Sequence, residues 1–343
     1  MHRIAAAAAT LAICFLAAAP AAQAQAPYKI LANTKVGGDG GFDYVTADSD
    51  GRKLYVARGG QPGHVTVFDL DTLAPAGDLP GISAHGATVN TRAGHGITVS
   101  KPVSFFDSKT LAVIKTLEVH GNPDGYLNDP QTGHFYILSH ATPNVSVIDA
   151  QDGSIVGTVD LGGAPEQAVL DGKGNLFVDL EDKGSIAVVD TKTLKLTRTI
   201  SLAGKGDGCA GLAMDTAHDI LFAACREPNV MVILSAKDGA ILTTLPLGKG
   251  TDGAVFNPKT NEVFSSNGEG NLTIIKENSP TSFVVEQTLT TMPRAKTLTL
   301  DTKTGKLFLI YAEFGTPPPP APGQKYSRAP MVPGSFGILT IGK

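Results

Sequence analysis

The stretch DGKGNLFV at residues 171–178 consists of a polar turn followed by a short apolar segment centred on an aromatic residue, Phe177. A turn that leads directly into such a segment is typical of a β-hairpin. The pattern recurs every 41 to 45 residues, and one interval of 81 residues contains a seventh, aliphatic member, Ile97. The other central residues are Tyr55, Tyr136, Phe222, Phe264 and Phe308. A period of this length indicates a repeat architecture.

Each repeat contains enough sequence for four short strands. A polar turn-former stands about seven residues before each central residue, namely Asp48, Thr91, Asp129, Asp171, Asp215, Asn257 and Asp301. A third segment alternates apolar and polar residues, and a fourth, more polar segment ends in glycine. Seven such units predict an all-β fold, a seven-bladed β-propeller with four antiparallel strands in each blade. A β-sandwich or a two-domain β protein is the alternative, but neither requires this period.

The predicted blades cover nearly the whole chain, at about 41–82, 83–119, 120–163, 164–206, 207–250, 251–295 and 296–343. The last unit lacks a fourth strand, while residues 28–36 precede the first unit and have strand character. We therefore expect this N-terminal strand to complete the last blade and close the ring. A proline-rich insertion at about 313–334, which carries Lys325, Tyr326 and Arg328, interrupts the seventh blade. It is either a lid or partner-docking arm, or a loosely ordered surface insertion.

The repeat resembles the YVTN-type (YncE-like) β-propeller repeat of bacterial exported proteins. The stretch nearest to the four-letter motif is Tyr55-Val56-Ala57-Arg58, and Phe264-Ser265-Ser266-Asn267 keeps the final Asn. The resemblance extends over essentially the whole chain after its N-terminal segment. It implies the propeller fold and export to the cell envelope, but its motif is structural and implies no particular activity.

Residues 1–24 have the layout of a secretory signal peptide. Arg3 precedes an apolar run from Ile4 to Ala19, and the small-residue triplet Ala22-Gln23-Ala24 follows. We expect cleavage after Ala24, which leaves a single propeller domain at 25–343 in the periplasm or outside the cell. The alternative, an N-terminal core or membrane helix, is disfavoured because the run is short and a cleavage triplet follows it.

Cys209 and Cys225 are an even pair in a chain that we expect to enter an oxidising compartment. The segment between them is typical of a hairpin whose turn centres near residue 217. Such a hairpin places the two cysteines opposite each other on neighbouring strands, within reach of a disulfide bond. We predict this disulfide, and two buried free thiols are the alternative.

The charge of the chain argues against several classes of partner. The chain contains 28 Lys and Arg against 32 Asp and Glu, which gives a formal net charge of −4. This charge does not favour binding to the phosphate backbone of nucleic acid. No segment after residue 24 approaches the run of about 20 apolar residues that a membrane-spanning helix needs. We expect a monomer whose partner is a small molecule or a protein of the cell envelope.

Two classes of loop meet at one mouth of a propeller channel, the links between blades and the links between the second and third strands. Asp43 and Glu181 are among the polar residues of these loops. The residues that we select as the candidate ligand-binding site are Arg58, His85, Asp124, His140, Glu166, Arg226, Asp252 and Arg294.

Four of these residues, His85, Asp124, Glu166 and Asp252, provide oxygen and imidazole ligands that could hold a divalent cation such as Ca²⁺ or Mg²⁺. Such a cation would polarise a lactone carbonyl and activate water, with Arg294 orienting an anionic substrate. The alternatives are a metal-free polar pocket, or residues that only solvate the entrance. Our first hypothesis is a non-enzymatic binding scaffold. A lactonase-like hydrolase is the second, and an accessory subunit of a periplasmic redox enzyme is the third.

Overall fold

The structure is a computed structural model that describes residues 27–38, 40–60, 62–320, 323, 327 and 329–343. These residues form 28 strands in seven four-stranded sheets, and none of them belongs to a helix that could cross a membrane. The predicted seven-bladed β-propeller is confirmed. The expected signal peptide with its cleavage point after Ala24 lies outside the described residues, as do Lys325, Tyr326 and Arg328 of the insertion.

Strand β1 is Lys29–Lys35, and the first two blades contain β2 (Phe42–Asp48), β3 (Lys53–Arg58), β4 (His64–Asp69), β5 (Pro75–Pro80), β6 (Ala87–Asn90), β7 (His95–Thr98), β8 (Val103–Asp107) and β9 (Val113–Leu117). The third and fourth blades contain β10 (Pro123–Asp129), β11 (His134–Ser139), β12 (Asn144–Asp149), β13 (Ile155–Asp160), β14 (Pro165–Leu170), β15 (Asn175–Leu180), β16 (Ser185–Asp190) and β17 (Lys195–Ser201).

The fifth and sixth blades contain β18 (Asp207–Asp215), β19 (Ile220–Glu227), β20 (Val230–Ser235), β21 (Ile241–Pro246), β22 (Thr251–Asn257), β23 (Glu262–Asn267), β24 (Asn271–Ser279) and β25 (Ser282–Thr290). The seventh blade contains β26 (Leu298–Leu300), β27 (Leu307–Tyr311) and β28 (Gly337–Gly342).

The core of the molecule lies between adjacent blades. In the fourth blade nearly every residue of β15 and β16 is buried, whereas β17 is exposed along most of its length. Phe177 and Ile186 of that blade pack in one cluster with Leu221 of the next. The second and third strands read as continuous apolar runs because both of their faces are covered by neighbouring blades.

The turn between the first and second strands is held by the polar residue that ends the first strand. Asp129 Oδ1 accepts the backbone N–H of Gln131 at 2.8 Å, and Asp215 Oδ1 accepts that of Ala217 at 2.9 Å. Such Asx turns satisfy backbone donors that the ladder leaves free. In the second blade Asn90 makes this contact, so the expected Thr91 was placed one residue too late.

The ring closes as the sequence predicts. Strand β1 pairs antiparallel with β28, with Lys35 opposite Gly337, and supplies the missing outer strand of the seventh blade. Both ends of the described chain also reach the sixth blade, where Glu262 is fully buried. The Tyr28 hydroxyl donates to Glu262 Oε2 at 2.5 Å and the Lys343 ammonium donates to Glu262 Oε1 at 2.7 Å. One carboxylate thus ties both chain ends to the body of the ring.

The predicted disulfide between Cys209 and Cys225 is present. The two residues are directly opposite in the register of β18 and β19, and their sulfurs are bonded. Both side chains belong to the apolar cluster between the fourth and fifth blades. The bond therefore crosses a hairpin in the protein core.

The described part of the insertion folds back against the seventh and first blades. Phe314 forms an isolated antiparallel bridge with Met331, and its ring lies 6.3 Å from that of Phe42. The Arg294 guanidinium lies 4.0 Å from the Phe314 ring centroid, within cation–π distance. The proline run at 317–320 is exposed.

Candidate functional site at the channel mouth

In six blades an ionisable residue stands at an equivalent position at or just before the start of the first strand. This residue is five places before the polar turn residue at the other end of the strand, and the set is Asp43, His85, Asp124, Glu166, Asp252 and Lys296. Because the first strands line the channel, this spacing gathers the six side chains at one mouth. In the fifth blade the same count ends at Ala210.

Asp43, His85 and Asp124 form the first cluster at this mouth. His85 Nδ1 lies 2.8 Å from Asp43 Oδ2 and 3.2 Å from Asp124 Oδ1. The hydrogen bond to Asp43 raises the pKa of His85, and burial raises the pKa of Asp124. Half of the His85 side chain remains exposed, so the cluster is accessible from solvent.

His140, Glu166 and Glu181 form a second cluster. His140 Nε2 lies 3.1 Å from Glu181 Oε2 and 3.6 Å from Glu166 Oε1. Burial, together with the charge of Glu181, raises the pKa of Glu166 to about 9. Burial also opposes ionisation of Glu181, but His140 and Arg226 outweigh it and lower the Glu181 pKa. The pair therefore consists of one protonated and one ionised carboxyl group at neutral pH.

Two long cations connect the two clusters. Arg226 donates to Glu181 through Nη1 and to Asp252 through Nη2. Lys296 donates to Asp252 and lies 4.0 Å from Asp43. Burial opposes the charge of Lys296, yet Asp252 and Asp43 raise its pKa, so it stays ionised.

The contacts join these groups into one continuous series around the mouth, in which acids and bases alternate and which runs from Asp124 to Glu166. We call it the mouth ring, and its nine members among the described residues are Asp43, His85, Asp124, His140, Glu166, Glu181, Arg226, Asp252 and Lys296. Glu166 and Asp252 are the most deeply buried, at 15 % and 11 % side-chain exposure. Such pairs offset part of their desolvation cost through one another.

The channel beneath the mouth ring is filled by polar and aromatic side chains. Gln167 Oε1 accepts the backbone N–H groups of Leu212 at 2.7 Å and of Ala254 at 3.1 Å, and so bridges three blades across the axis. Tyr44 and Tyr126 pack edge to face on the other side. The opposite end of the channel opens as a separate funnel of about 750 Å³, which Gln167 also lines. Gln167, Tyr44 and Tyr126 thus lie between the mouth ring and this funnel, and we call them the floor of the mouth.

Buried Asp179 lies next to this floor. Its Oδ1 accepts the backbone N–H of Gln167 at 2.6 Å, while Oδ2 is buried without a hydrogen-bond partner among the described residues. Burial raises the Asp179 pKa well above its usual range. Burial therefore favours the neutral form of this carboxyl group.

Six of the eight candidate residues from the sequence belong to the mouth ring, namely His85, Asp124, His140, Glu166, Arg226 and Asp252. Arg58 instead lies buried, donates to the Gly37 carbonyl at 3.1 Å and stacks on Phe336. Arg294 stacks on Phe314 of the insertion. Arg58 thus joins the first blade to the seventh, and Arg294 joins the link between the sixth and seventh blades to the insertion.

The four residues expected to hold a cation occupy three parts of the ring. His85 and Asp124 lie together with Asp43, and their ligand atoms are within 4.8 Å of one another. Glu166 belongs to the cluster of His140 and Glu181, and Asp252 is bound by Arg226 and Lys296. Sequence reasoning missed Lys296, because Arg294 was taken as the residue of that loop. The five-residue spacing before Asp301 would have found it.

No protein-family model matches the chain, and no curated protein matches its sequence. The fold is similar to that of a chain in the structure titled "Crystal Structure of Mitotic Checkpoint Complex", with a TM-score of 0.69 and 13% identity. The match covers 88% of this chain and 95% of that chain. At this identity the likeness shows the fold alone.

Proposed function

We propose that the protein is an exported binding scaffold whose mouth ring engages a small polar ligand or the polar tip of an envelope protein. The observation that carries this proposal is the continuous series of eight contacts that links nine ionisable side chains around one end of the channel. Groups contributed by separate blades converge there without forming the core of any blade. A rigid scaffold that presents charged side chains in this way is suited to recognition.

The chemistry of the ring indicates what the ligand carries. The carboxylates of Asp43, Asp124, Glu181 and Asp252 are nearly balanced by Arg226, Lys296 and His85, while Glu166 keeps its proton. A ring of mixed sign favours a ligand with both acidic and basic groups, or with several hydroxyl groups, over a polyanion. The exposed ends of His85 and Lys296 are the first groups such a ligand would meet.

Export to the periplasm or the outside is part of this proposal. The disulfide between Cys209 and Cys225 supports it, since such bonds persist in oxidising compartments. The signal-peptide layout of residues 1–24 and the resemblance to YVTN-type exported repeats support it as well. We also propose that the chain acts as a monomer.

A second candidate, a metal-dependent hydrolase, is favoured by the three ligand atoms of Asp43, His85 and Asp124. One imidazole and two carboxylates at the rim are a suitable donor set for a divalent cation that polarises a carbonyl. Lys296, 4.0 Å from Asp43, would compete with that cation. Addition of Ca²⁺, Mg²⁺, Mn²⁺ or Zn²⁺ after EDTA treatment, followed by a lactone turnover assay, tests this candidate.

The binding proposal is tested by calorimetric titration with amino acids, sugar acids, polyols and diamines. We expect saturable binding of at least one class, lost in Arg226→Met and in His85→Gln. The control is Lys183→Met, which removes an exposed cation on the same face whose partner is Asp182. If no class binds, or if binding survives both ring substitutions, the mouth ring is not the ligand site.

A further inference from the structure

A third cluster of potential metal ligands among the described residues lies on the face opposite the mouth ring. It consists of Asp215, which ends β18, His218 in the turn that follows, and Glu277 near the end of β24 in the next blade. One ligand atom from each residue falls within 4.8 Å of the others. The cluster therefore joins the fifth blade to the sixth.

Part of this cluster is ordinary turn chemistry of the repeat. Asp215 Oδ1 caps the turn, and His218 Nδ1 hydrogen-bonds to Asp215 Oδ2. In other blades the residue three places after the turn aspartate makes the same contact through a hydroxyl, as Thr132 does to Asp129 at 2.7 Å. The His218–Asp215 pair alone would thus indicate a turn and nothing more.

Glu277 is the departure from the repeat. In six blades the residue just after the regular part of the third strand donates its backbone N–H to the turn of the same blade, at 2.8 to 3.0 Å. The residues at this position are Leu70, Ser108, Ala150, Thr191, Ala236 and Glu277. A carboxylate thus stands where the other five blades place an apolar or small hydroxyl residue.

This carboxylate is buried and lacks hydrogen bonds. The Glu277 side chain is 2 % exposed, and neither of its oxygens has a hydrogen-bond partner among the described residues. Its Oε1 lies 3.3 Å from His218 Nδ1, and the same nitrogen is hydrogen-bonded to Asp215. A buried carboxylate beside a second carboxylate is costly unless a cation or a proton compensates it.

The neighbouring lysines do not supply that compensation. Lys173 and Lys237 both bind Asp219, and the Lys276 ammonium donates to the Thr260 carbonyl. Among the described residues, these lysines therefore leave the Glu277 carboxylate without an ammonium partner.

We propose that Asp215 Oδ2, His218 Nδ1 and the Glu277 carboxylate bind a divalent transition-metal ion of the Zn²⁺ class. One imidazole and two carboxylates are donors suited to zinc or manganese, whereas calcium takes oxygen ligands alone. Three protein ligands leave a position for water or a further ligand. His218 is 44 % exposed, which gives the ion a path from solvent. This inference is independent of the proposed function of the mouth ring.

The test is equilibrium dialysis of the tag-free, EDTA-treated chain against Zn²⁺ and Mn²⁺, with bound metal measured by atomic emission. Two substitutions use residues that the repeat itself tolerates: Asp215→Asn, because Asn90 and Asn257 cap equivalent turns, and Glu277→Thr, because Thr191 holds the equivalent position. We expect one metal ion per chain at this site and at least a 100-fold loss of affinity in either variant. The matched control is His95→Asn, on the same face.

Melting temperature provides a second readout. Zn²⁺ should raise the Tm of the wild-type chain and leave that of Glu277→Thr unchanged, while Glu277→Thr without metal should melt at or above the wild type. The proposal would be overturned if the wild type bound neither zinc nor manganese at up to about 1 mM metal. It would also be overturned if binding survived both substitutions. Binding lost equally in His95→Asn would also overturn it, since the effect would then be on folding.

Discussion

Glu166 and Glu181 face the same histidine from adjacent strands of the fourth blade, and their pKa values are displaced in opposite directions. Burial and the neighbouring charge hold a proton on Glu166. Its partner Glu181 is kept ionised by His140 and Arg226. The two carboxyl groups differ because only one of them is within reach of a permanent cation.

The first prediction concerns pH. Since the pKa of Glu166 is about 9 in the folded chain and near 4.5 when unfolded, its contribution to stability is fully present below pH 4.5 and is lost as pH rises towards 9. Glu166→Gln removes this loss. The free energy of unfolding of the variant, measured in urea at pH 5, 7 and 9, should exceed that of the wild type by an amount that grows with pH.

Glu181→Gln is the counterpart of that experiment. It removes the anion that pairs with Arg226 and His140, so it should destabilise the chain at pH 7, by an amount that shrinks as pH falls below 4.5 through the lowered pKa of folded Glu181. A pH-independent difference in both variants would contradict the assignment of the proton to Glu166.

The second prediction concerns Arg226. Its guanidinium joins Glu181 to Asp252, and its Nε donates to the Thr251 carbonyl at 3.0 Å. Arg226→Met leaves two partly buried carboxylates without this cation and should cost about 2 kcal/mol of unfolding free energy. Lys183→Met, on the same face, should change it by less than about 0.5 kcal/mol. Equal effects in the two variants would show that the ring is energetically inert.

The third prediction concerns the closure at Glu262. This fully buried carboxylate accepts from Tyr28 and Lys343. Glu262→Gln should cost about 2 kcal/mol in urea unfolding, because it removes the buried negative charge to which Tyr28 and Lys343 donate. Tyr28→Phe should cost about 1 kcal/mol. The control is Glu118→Gln, which alters an exposed carboxylate and should be neutral.

The fourth prediction concerns the disulfide. The bond between Cys209 and Cys225 closes a loop with a sequence separation of 16. Its loss in the double variant Cys209→Ala, Cys225→Ala should lower the unfolding free energy by about 3 kcal/mol. Thiol titration of the unreduced chain in denaturant should find neither cysteine free. Two free thiols, or an unchanged urea midpoint, would show that the bond is absent or without effect.

The periodicity of the sequence was sufficient to predict the fold, but it predicted only part of the candidate site. Phe177, Phe222 and Phe264 each lie in the second strand of a blade, whose apolar faces are covered by neighbouring blades. Because every blade contains such a strand, the spacing of these residues predicts the repeat. The disulfide was predicted from the position of the hairpin turn, because the register of a hairpin pairs residues at equal distances from its turn.

The residues that the sequence misplaced are those whose partners come from distant parts of the chain. Arg58 turns inward to Phe336, and Arg294 turns to Phe314, contacts that no local spacing encodes. Glu277 was overlooked because a single carboxylate after a strand resembles any exposed charge. Its burial becomes evident only once the turn that contains His218 is packed against it.

The pairing of β1 with β28 has a consequence for how the molecule forms. Its two members are separated by almost the whole length of the chain, so this sheet has the highest contact order in the fold and must form late. During synthesis on the ribosome, β1 is made before the other strands and stays unpaired until β28, the last strand, has been made. Until they meet, the open ring exposes sheet edges that invite pairing between chains. A circular permutant with β1 placed directly after β28 would shorten that interval and should refold faster with less aggregation.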